Sequence, residues 1–172
     1  SLQSLFDKHR GRIAAVIMEP MNMIEPEDGF LQSVAALTRK EGAILIFDEI
    51  ITGFRFARGG AQEYFGVTPD ISAFGKALGN GMPIAAVVGR REIMMEMEEI
   101  FFSSTFGGEA LSLAAANALL DKFNREPVID VLWQKGEALN GGIRESITRH
   151  GLEEVVKIRG KAPWTVLDVA DH

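Results

Sequence analysis

Four short apolar runs recur between residues 13 and 88, and none of them alternates between apolar and polar positions. They cover residues 13–18, 43–47, 71–74 and 84–88. Strands that are apolar on both faces are typical of parallel sheets that helices cover. The pattern therefore predicts four strands of a largely buried sheet.

The segments between and after these runs have a helical period. Residues 28–40 place their apolar side chains on one helical face, with Asp28 as the predicted N-cap and Gly42 just after the last turn. Further elements are predicted later in the chain: an alanine-rich helix at 110–123, an amphipathic helix at 128–150 and a strand at 155–159, followed by a break at 160–163. The order of strands and helices predicts an α/β fold, with a mostly parallel sheet flanked by helices.

Composition narrows the classes of partner. The 172 residues carry a formal charge of −6 and no block of Lys or Arg, so neither a nucleic-acid nor an anionic-membrane surface is expected. The chain has no cysteine and only three scattered histidines, so no disulfide framework or metal site is expected. The N-terminal residues lack the apolar segment of a signal peptide, and we expect a cytoplasmic protein.

Polar residues stand where three of the predicted strands end. Glu19 follows the first run, Asp48-Glu49 follows the second, and Gly75-Lys76 follows the third. Ligands of open α/β sheets bind beyond the carboxyl ends of the strands, so Asp48 and Lys76 are candidates for a site. A structural ion pair at the sheet edge is the alternative. For Glu19 and Glu49 we favour the simpler interpretation that they accept hydrogen bonds from loop backbone.

The segment AILIFDE also resembles the apolar strand and acidic pair that hold magnesium in P-loop ATPases. Such an ATPase needs G-x-x-x-x-G-K-[ST], whose glycines let backbone N–H groups wrap phosphates. In DISAFGKA, Asp70 replaces the first glycine and Ala77 replaces the hydroxyl residue. The phosphate-binding loop is therefore missing, and we disfavour this class.

Three linked motifs resemble class III, fold-type I aminotransferases, and most closely the glutamate-1-semialdehyde aminomutase-like members. They are DEIITGFR at 48–55, GVTPD at 66–70 and GKALGNGMP at 75–83. The resemblance implies the cofactor pyridoxal 5′-phosphate (PLP) and amino-group transfer or an aminomutase reaction on an amino acid or an amino-aldehyde or keto substrate. It also implies that residues 1–124 are part of the PLP-binding large domain. Residues 125–172 would be the connecting helix and the start of a small C-terminal α+β lobe, so the chain is expected to be a fragment.

The resemblance assigns a role to four residues. Lys76 would form the Schiff base with PLP, Asp48 would hydrogen-bond the pyridine nitrogen, and Ile50 would pack against the ring. Thr105 matches the threonine that these homodimers present to the partner's PLP phosphate, so the active site would be shared between subunits. Two alternatives stay open: residues 103–105 cap the following helix, or the chain is an inactive fragment that acts only through association.

Overall fold

The computed structural model describes residues 1–170, and the last two residues of the predicted unit 125–172 lie outside the described part. Six α-helices are described: α1 (Leu2–Lys8), α2 (Phe30–Glu41), α3 (Ala61–Phe65), α4 (Arg91–Met94), α5 (Ala110–Arg125) and α6 (Val128–Arg149). The described strands are β1 (Ala15–Met18), β2 (Ile44–Asp48), β3 (Ile71–Phe74), β4 (Ala86–Gly89), β5 (Val156–Lys161) and β6 (Trp164–Val169). No helix within residues 1–170 is both long enough and apolar enough to span a membrane.

The first four strands form one sheet in the order β1-β2-β3-β4. β1 and β2 are parallel, as are β2 and β3, whereas β4 is antiparallel to β3. Helix α2 connects β1 to β2, and α3 lies between β2 and β3. The predicted α/β fold with a mostly parallel sheet and flanking helices is confirmed.

One face of this sheet is packed against α2. Leu31 and Val34 of the helix join Leu45 and Phe47 of β2 in a buried cluster, which also includes Val67. Phe47 is fully buried, and burying a side chain of this size contributes about 1.5–3 kcal/mol. This cluster holds β2 in place, and with it the Asp48 side chain at the end of the strand.

The opposite face of the sheet is largely uncovered within the described part of the chain. Because side chains alternate along a strand, Ile46 and Asp48 point away from the α2 side of β2. On the same face, Ile17 of β1 is 68% exposed and Val87 of β4 is 51% exposed. An apolar sheet face of this kind needs a covering layer, because exposed apolar area is unfavourable in water.

The N-terminus of α2 differs from the prediction. Asp28 does not cap the helix; Gly29 stands at the N-cap in a left-handed conformation, with φ of 78°, and no side chain bonds the free N–H groups there. The left-handed turn at Gly29 places Asp28 outside the cap position. The predicted end of the helix is confirmed, because Gly42 adopts φ of 72° and its N–H bonds the last carbonyls.

The C-terminal part of the described chain is a long helix followed by a β-hairpin. β5 and β6 pair antiparallel, and Ala162-Pro163 form the turn between them. The predicted break at 160–163 is therefore wrong for residues 160 and 161, which belong to β5. The hairpin packs on α6, where the Thr165 hydroxyl donates to Asn140 Oδ1 at 2.8 Å. This small antiparallel sheet agrees with the predicted C-terminal α+β lobe, whereas the boundary at residues 124 and 125 stays a prediction.

Candidate active site at the carboxyl ends of β2 and β3

Asp48 is the last residue of β2 and lies in register with Ala73 of β3. Its side chain is half-buried, and Oδ1 accepts a hydrogen bond from the N–H of Ile50 at 3.0 Å. This bond uses only one oxygen of the carboxylate. The parallel pairing brings Asp48 to the strand end that leads into Lys76, three residues beyond Ala73, as the sequence predicts.

Lys76 begins a one-turn 3₁₀ helix, Lys76–Leu78, directly after β3 and Gly75. Its φ of 40° is unusual for a residue with a side chain, and such a conformation persists only where the surroundings hold it. The residue is exposed, and Nζ forms no hydrogen bond or ion pair within residues 1–170. The structural ion pair with Asp48 that the sequence left open is therefore not formed.

The glycines after Lys76 shape a tight turn. A side chain at Gly79 would lie 2.5 Å from both Met82 O and Ile84 Cγ2, so only glycine fits there. Gly81 has φ of 110°, where a side chain is strained. A P-loop would continue from Gly-Lys into a long helix, whereas this segment forms a short turn that leads to β4. The structure thus gives no support to the ATPase interpretation.

Ile50 lies next to the backbone that precedes Lys76. The ideal Cβ position of Gly75 is 3.4 Å from Ile50 Cγ2 and 3.6 Å from Ile50 Cγ1, so the branched side chain contacts the surface of that glycine. Asp48, Ile50 and the Lys76 turn therefore form one cluster at the carboxyl end of the sheet.

Glu49 is fully buried beside Asp48 and holds the loop that follows β2. Its carboxylate accepts hydrogen bonds from the Thr52 hydroxyl at 2.5 Å, the Ala61 N–H at 2.8 Å and the Gln62 N–H at 2.7 Å. The prediction that Glu49 satisfies loop donors is confirmed. Glu19 differs: its Oε1 accepts the side-chain amide of Asn22 at 3.2 Å instead of a backbone N–H.

Thr105 is exposed in the segment between the second 3₁₀ turn (Met95–Glu98) and α5. It lines a groove of about 920 Å³ that is formed by residues between 83 and 113, among them Pro83, Met94 and Phe106. None of the cluster residues Asp48, Ile50 and Lys76 lines this groove. The described residues thus do not bring Thr105 into the cluster.

The N-cap of α5 is Glu109, not one of the residues 103–105. Its carboxylate accepts the N–H groups of Leu111 and Ser112 at 2.9 and 2.6 Å and the Ser112 hydroxyl at 2.5 Å. The Ser112 hydroxyl and these two N–H groups lower the pKa of Glu109 below its ordinary value. The alternative that the hydroxyl residues cap this helix is therefore wrong, and they have no capping role.

Sequence reasoning assigned no role to Arg55, a half-buried residue in the loop between β2 and α3. Its Nε donates to Ile51 O at 2.9 Å, and its Nη1 donates to Pro163 O at 3.2 Å. The signal in the sequence is its place as the last residue of the motif DEIITGFR, and it is one of two arginines in the glycine-rich segment ITGFRFARGG. The second contact joins residues 108 positions apart, and no local pattern predicts it.

An α/β sheet with a lysine and a carboxylate at adjacent strand ends is the arrangement that the resemblance to fold-type I PLP-dependent enzymes implies, and the comparisons with known proteins agree with this class. The family model of class III aminotransferases matches residues 1–172. The chain belongs to the class III aminotransferase family.

Similar sequences and structures come from several bacteria. The chain is 43% identical over 158 residues to the glutamate-1-semialdehyde 2,1-aminomutase of Syntrophobacter fumaroxidans, and this match covers 88% of the chain. It is 44% identical over 153 residues to the same enzyme of Alkaliphilus oremlandii, and this match covers 84% of the chain. The chain spans 36% of the length of each of these two curated relatives.

Two solved structures share the fold over nearly the whole chain. The PLP internal aldimine form of the FumI protein of Sphingopyxis sp. MTA144 has a TM-score of 0.89 and 31% identity, and the match covers 99% of this chain and 42% of that protein. An omega-transaminase from Sphaerobacter thermophilus has a TM-score of 0.87 and 29% identity, over 99% of this chain and 40% of that protein. The predicted family and the fragment-like coverage are confirmed.

Proposed function

We propose that the protein carries out PLP-dependent amino-group transfer, with Lys76 as the attachment site of the cofactor and Asp48 as the partner of the pyridine nitrogen. The observation that carries this proposal is the parallel register of β2 and β3. It pairs Asp48 with Ala73 and so brings the carboxylate to the same sheet edge as the Lys76 turn.

The chemistry of these side chains fits PLP. A primary amine with no partner among residues 1–170 can attach to an aldehyde carbon, and a carboxylate can accept a hydrogen bond from a protonated ring nitrogen. Asp48 has one oxygen already engaged by the Ile50 N–H, which leaves the other for a ligand. Ile50 supplies an aliphatic surface beside Gly75, suited to the face of an aromatic ring.

When bound, PLP supplies an electron sink that accepts negative charge from the reacting carbon of the substrate. Asp48 keeps the proton on the ring nitrogen, because a charge-assisted hydrogen bond favours the protonated ring. Once the amine of the substrate has displaced it from the aldehyde carbon of the cofactor, the Lys76 amine would be free to carry protons to and from the substrate. The Glu49 contacts keep the Asp48 backbone in place while these protons move.

Covalent trapping tests the proposal in the full-length protein. We expect PLP to give a visible absorption band that borohydride bleaches, and peptide mass mapping to place the reduced label on Lys76. The Lys76→Ala variant is the control and should retain no label. A label on Lys40 or Lys161, or no band in the parental protein, would contradict the assignment.

The substrate classes that we propose are those of the similar proteins. The similar sequences are glutamate-1-semialdehyde 2,1-aminomutases, whereas one of the similar structures is an omega-transaminase. The proposal therefore covers both transfer between two molecules and a shift of the amino group within one. A reaction of glutamate-1-semialdehyde without any second amino donor or acceptor would support the aminomutase, and a strict need for an amino acceptor would support the transaminase.

The proposal includes a homodimer with a shared active site, in which Thr105 binds the PLP phosphate of the partner. Large apolar side chains near Thr105 support it: Phe101 is 96% exposed, and Phe102 and Phe106 are 69% and 57% exposed. A surface of this kind is typical of a protein–protein interface. The cytoplasmic location expected from the sequence stays part of the proposal, and cell fractionation with immunodetection checks it.

The uncovered sheet face favours a second candidate, a chain that acts only through association. Ile17 and Val87 lie on this face and are more than half exposed. An isolated 172-residue chain that self-associates or binds other proteins but never takes up PLP would support this candidate. Uptake of PLP with reduction onto Lys76 in the same chain would count against it.

A further inference from the structure

Arg55 joins two parts of the molecule that are distant in sequence. Its Nε–H donates to the carbonyl of Ile51 at 2.9 Å, and its Nη1 donates to the carbonyl of Pro163 at 3.2 Å. Ile51 directly follows Ile50 in the loop after β2, whereas Pro163 lies in the turn of the β5–β6 hairpin. One guanidinium thus holds the hairpin turn against the loop that follows Asp48 and contains Ile50.

Independent contacts hold the hairpin and its neighbouring helix on both sides of Arg55. The indole N–H of Trp133 in α6 donates to the carbonyl of Phe56, the residue after Arg55, at 2.9 Å. Trp164 packs on the buried cluster of Met21, Phe56 and Ala61. Lys161 forms an ion pair with Glu25 at 2.6 Å and stands over the Tyr64 ring, 5.0 Å from its centroid. The hairpin therefore has a fixed position relative to the loop.

The loop that Arg55 grips has a strained backbone. Phe54 adopts φ of 59°, a left-handed conformation that bulky residues avoid. Its ring packs against Phe74 of β3 and Phe123 of α5, with centroid distances of 5.6 and 5.7 Å. Gly53 has no room for a side chain, because a Cβ there would lie 2.5 Å from Phe74. Such a loop keeps its shape only if its neighbours hold it.

The same arginine borders the Lys76 turn. Arg55 lines a cavity of about 320 Å³ together with Ala77 and Asn80, both of which belong to the turn that Lys76 begins. Lys76 and Asn80 are themselves left-handed, with φ of 40° and 46°. Arg55 thus borders the turn that Lys76 begins, while its guanidinium bonds both the loop after β2 and the hairpin turn.

We propose that Arg55 is a positioning residue for amino-group transfer: it transmits the docked position of the β5–β6 hairpin to the backbone that carries Asp48 and Ile50. The inference rests on the proposed function for its catalytic part. Arg55 touches no reacting atom in this assignment. It acts through the Ile51 carbonyl, so its loss allows the loop, and with it the ring partners, to shift.

The test compares Arg55→Met with Arg58→Met in the full-length protein. Arg58 is a matched control, because it lies in the same loop but within residues 1–170 its side chain bonds only the exposed side chain of Asn124, at 2.7 Å. Since displacement of a reacting group by about 1 Å can cost about 100-fold in rate, we expect kcat of Arg55→Met to fall about 10- to 100-fold with a smaller change in KM. Arg58→Met should keep the parental kcat.

Hydrogen exchange in the protein without PLP supplies a readout that needs no activity. The N–H of Arg55 bonds Thr52 O, and the N–H of Gly53 bonds Glu49 O, so both report on the loop. We expect Arg55→Met to speed exchange at these amides and in the hairpin turn together, and Arg55→Lys, which keeps a donor for one carbonyl, to give an intermediate effect. Arg55→Lys also serves as the test variant if Arg55→Met does not fold.

Two results would overturn the inference. One is faster exchange in only one of the two segments, which would mean that Arg55 does not couple them. The other is an unchanged kcat: Arg55→Met would be less stable than Arg58→Met but would have the same kcat. If only Arg55→Lys folds, the same comparison applies to that variant. Such a result would make Arg55 a structural contact alone. Failure of the proposed function is distinguishable, because it would show as absence of PLP uptake in the parental protein, whereas the exchange comparison needs no cofactor.

Discussion

Glu49 Oε1 accepts a hydrogen bond from the N–H of Gln62 at 2.7 Å, across a loop of twelve intervening residues. The other oxygen accepts the N–H of Ala61, so the carboxylate binds the first two residues of α3. The Gln62 side chain then donates to the Ser72 hydroxyl in β3 at 3.0 Å. The carboxylate next to Asp48 thus ties the end of β2, the start of α3 and β3 into one unit.

We predict that Glu49→Gln destabilises the fold by about 1–3 kcal/mol. The NH₂ group of the glutamine would face an N–H or O–H group that donates a hydrogen bond to the carboxylate in the parental protein, and two donors cannot bond each other. Urea unfolding of the full-length protein measures the change in the free energy of unfolding. Glu63→Gln is the matched control: in the described part of the chain the exposed Glu63 carboxylate accepts a single hydrogen bond, from the Gly59 N–H, and its loss should cost less than about 0.5 kcal/mol. Equal losses for both variants would show that the buried carboxylate has no special role.

Two glycines of α6 should respond to the same substitution with opposite signs. A Cβ at Gly136 would lie 2.1 Å from Ala162 O, the turn of the hairpin, whereas a Cβ at Gly142 would meet no atom within 4 Å. We predict that Gly136→Ala destabilises by about 1–3 kcal/mol through overpacking. Gly142→Ala should stabilise by about 0.5–1 kcal/mol, because alanine is the better helix former. Chemical denaturation of both variants measures the change in the free energy of unfolding. A Gly136→Ala variant that is more stable than the parental protein would show that the hairpin does not pack on α6.

The sequence predicts the sheet well, because its strands depend on local patterns, and it also predicts which strand ends lie together. Apolar runs mark β1 to β4, and parallel strands end at one edge, so Asp48 and Lys76 had to approach each other. The register of Asp48 with Ala73 bears this out. Ile50 was placed by resemblance to the family, and its contact with Gly75 agrees with a position in the site.

The parts that sequence reasoning missed depend on tertiary contacts or on backbone conformation. Arg55 bonds Pro163, and no local pattern connects two residues so far apart. Asp28 has the side chain of a good N-cap, but the left-handed turn at Gly29 removes it from that position. Glu109 caps α5 although glutamate is not among the preferred N-cap residues. It can do so because the Ser112 hydroxyl donates an additional hydrogen bond to its carboxylate.

For Asp48→Asn we predict a large loss of activity with little change in folding. A neutral amide cannot keep the ring nitrogen protonated, and a charge-assisted bond contributes about 1.5–3 kcal/mol. This corresponds to a fall in kcat of about 10- to 150-fold. Single-turnover kinetics measure the effect, and thermal unfolding shows that the variant is folded. Exposed Asp121→Asn is the control with parental activity. Parental turnover of Asp48→Asn would refute its assigned role.

The last prediction concerns the shared active site, and it uses two variants of the full-length protein, each of which we expect to be inactive. Lys76→Ala removes the attachment point of PLP, and Thr105→Ala removes the hydroxyl proposed to reach the phosphate in the partner. In a mixed dimer, the site with an intact Lys76 belongs to the Thr105→Ala subunit and takes its threonine from the Lys76→Ala subunit. One complete site therefore returns, and we expect mixing to restore activity and PLP affinity.

Serine variants of the same segment supply the control for this experiment. Ser103 and Ser104 are exposed neighbours of Thr105, and none of the three caps α5, because Glu109 does. Ser103→Ala should therefore leave PLP affinity unchanged, and a loss there equal to that of Thr105→Ala would point to a general disturbance of the segment. Native mass spectrometry counts the mixed dimers. If mixed dimers form but regain neither activity nor PLP affinity, then Thr105 does not complete the site of a partner subunit.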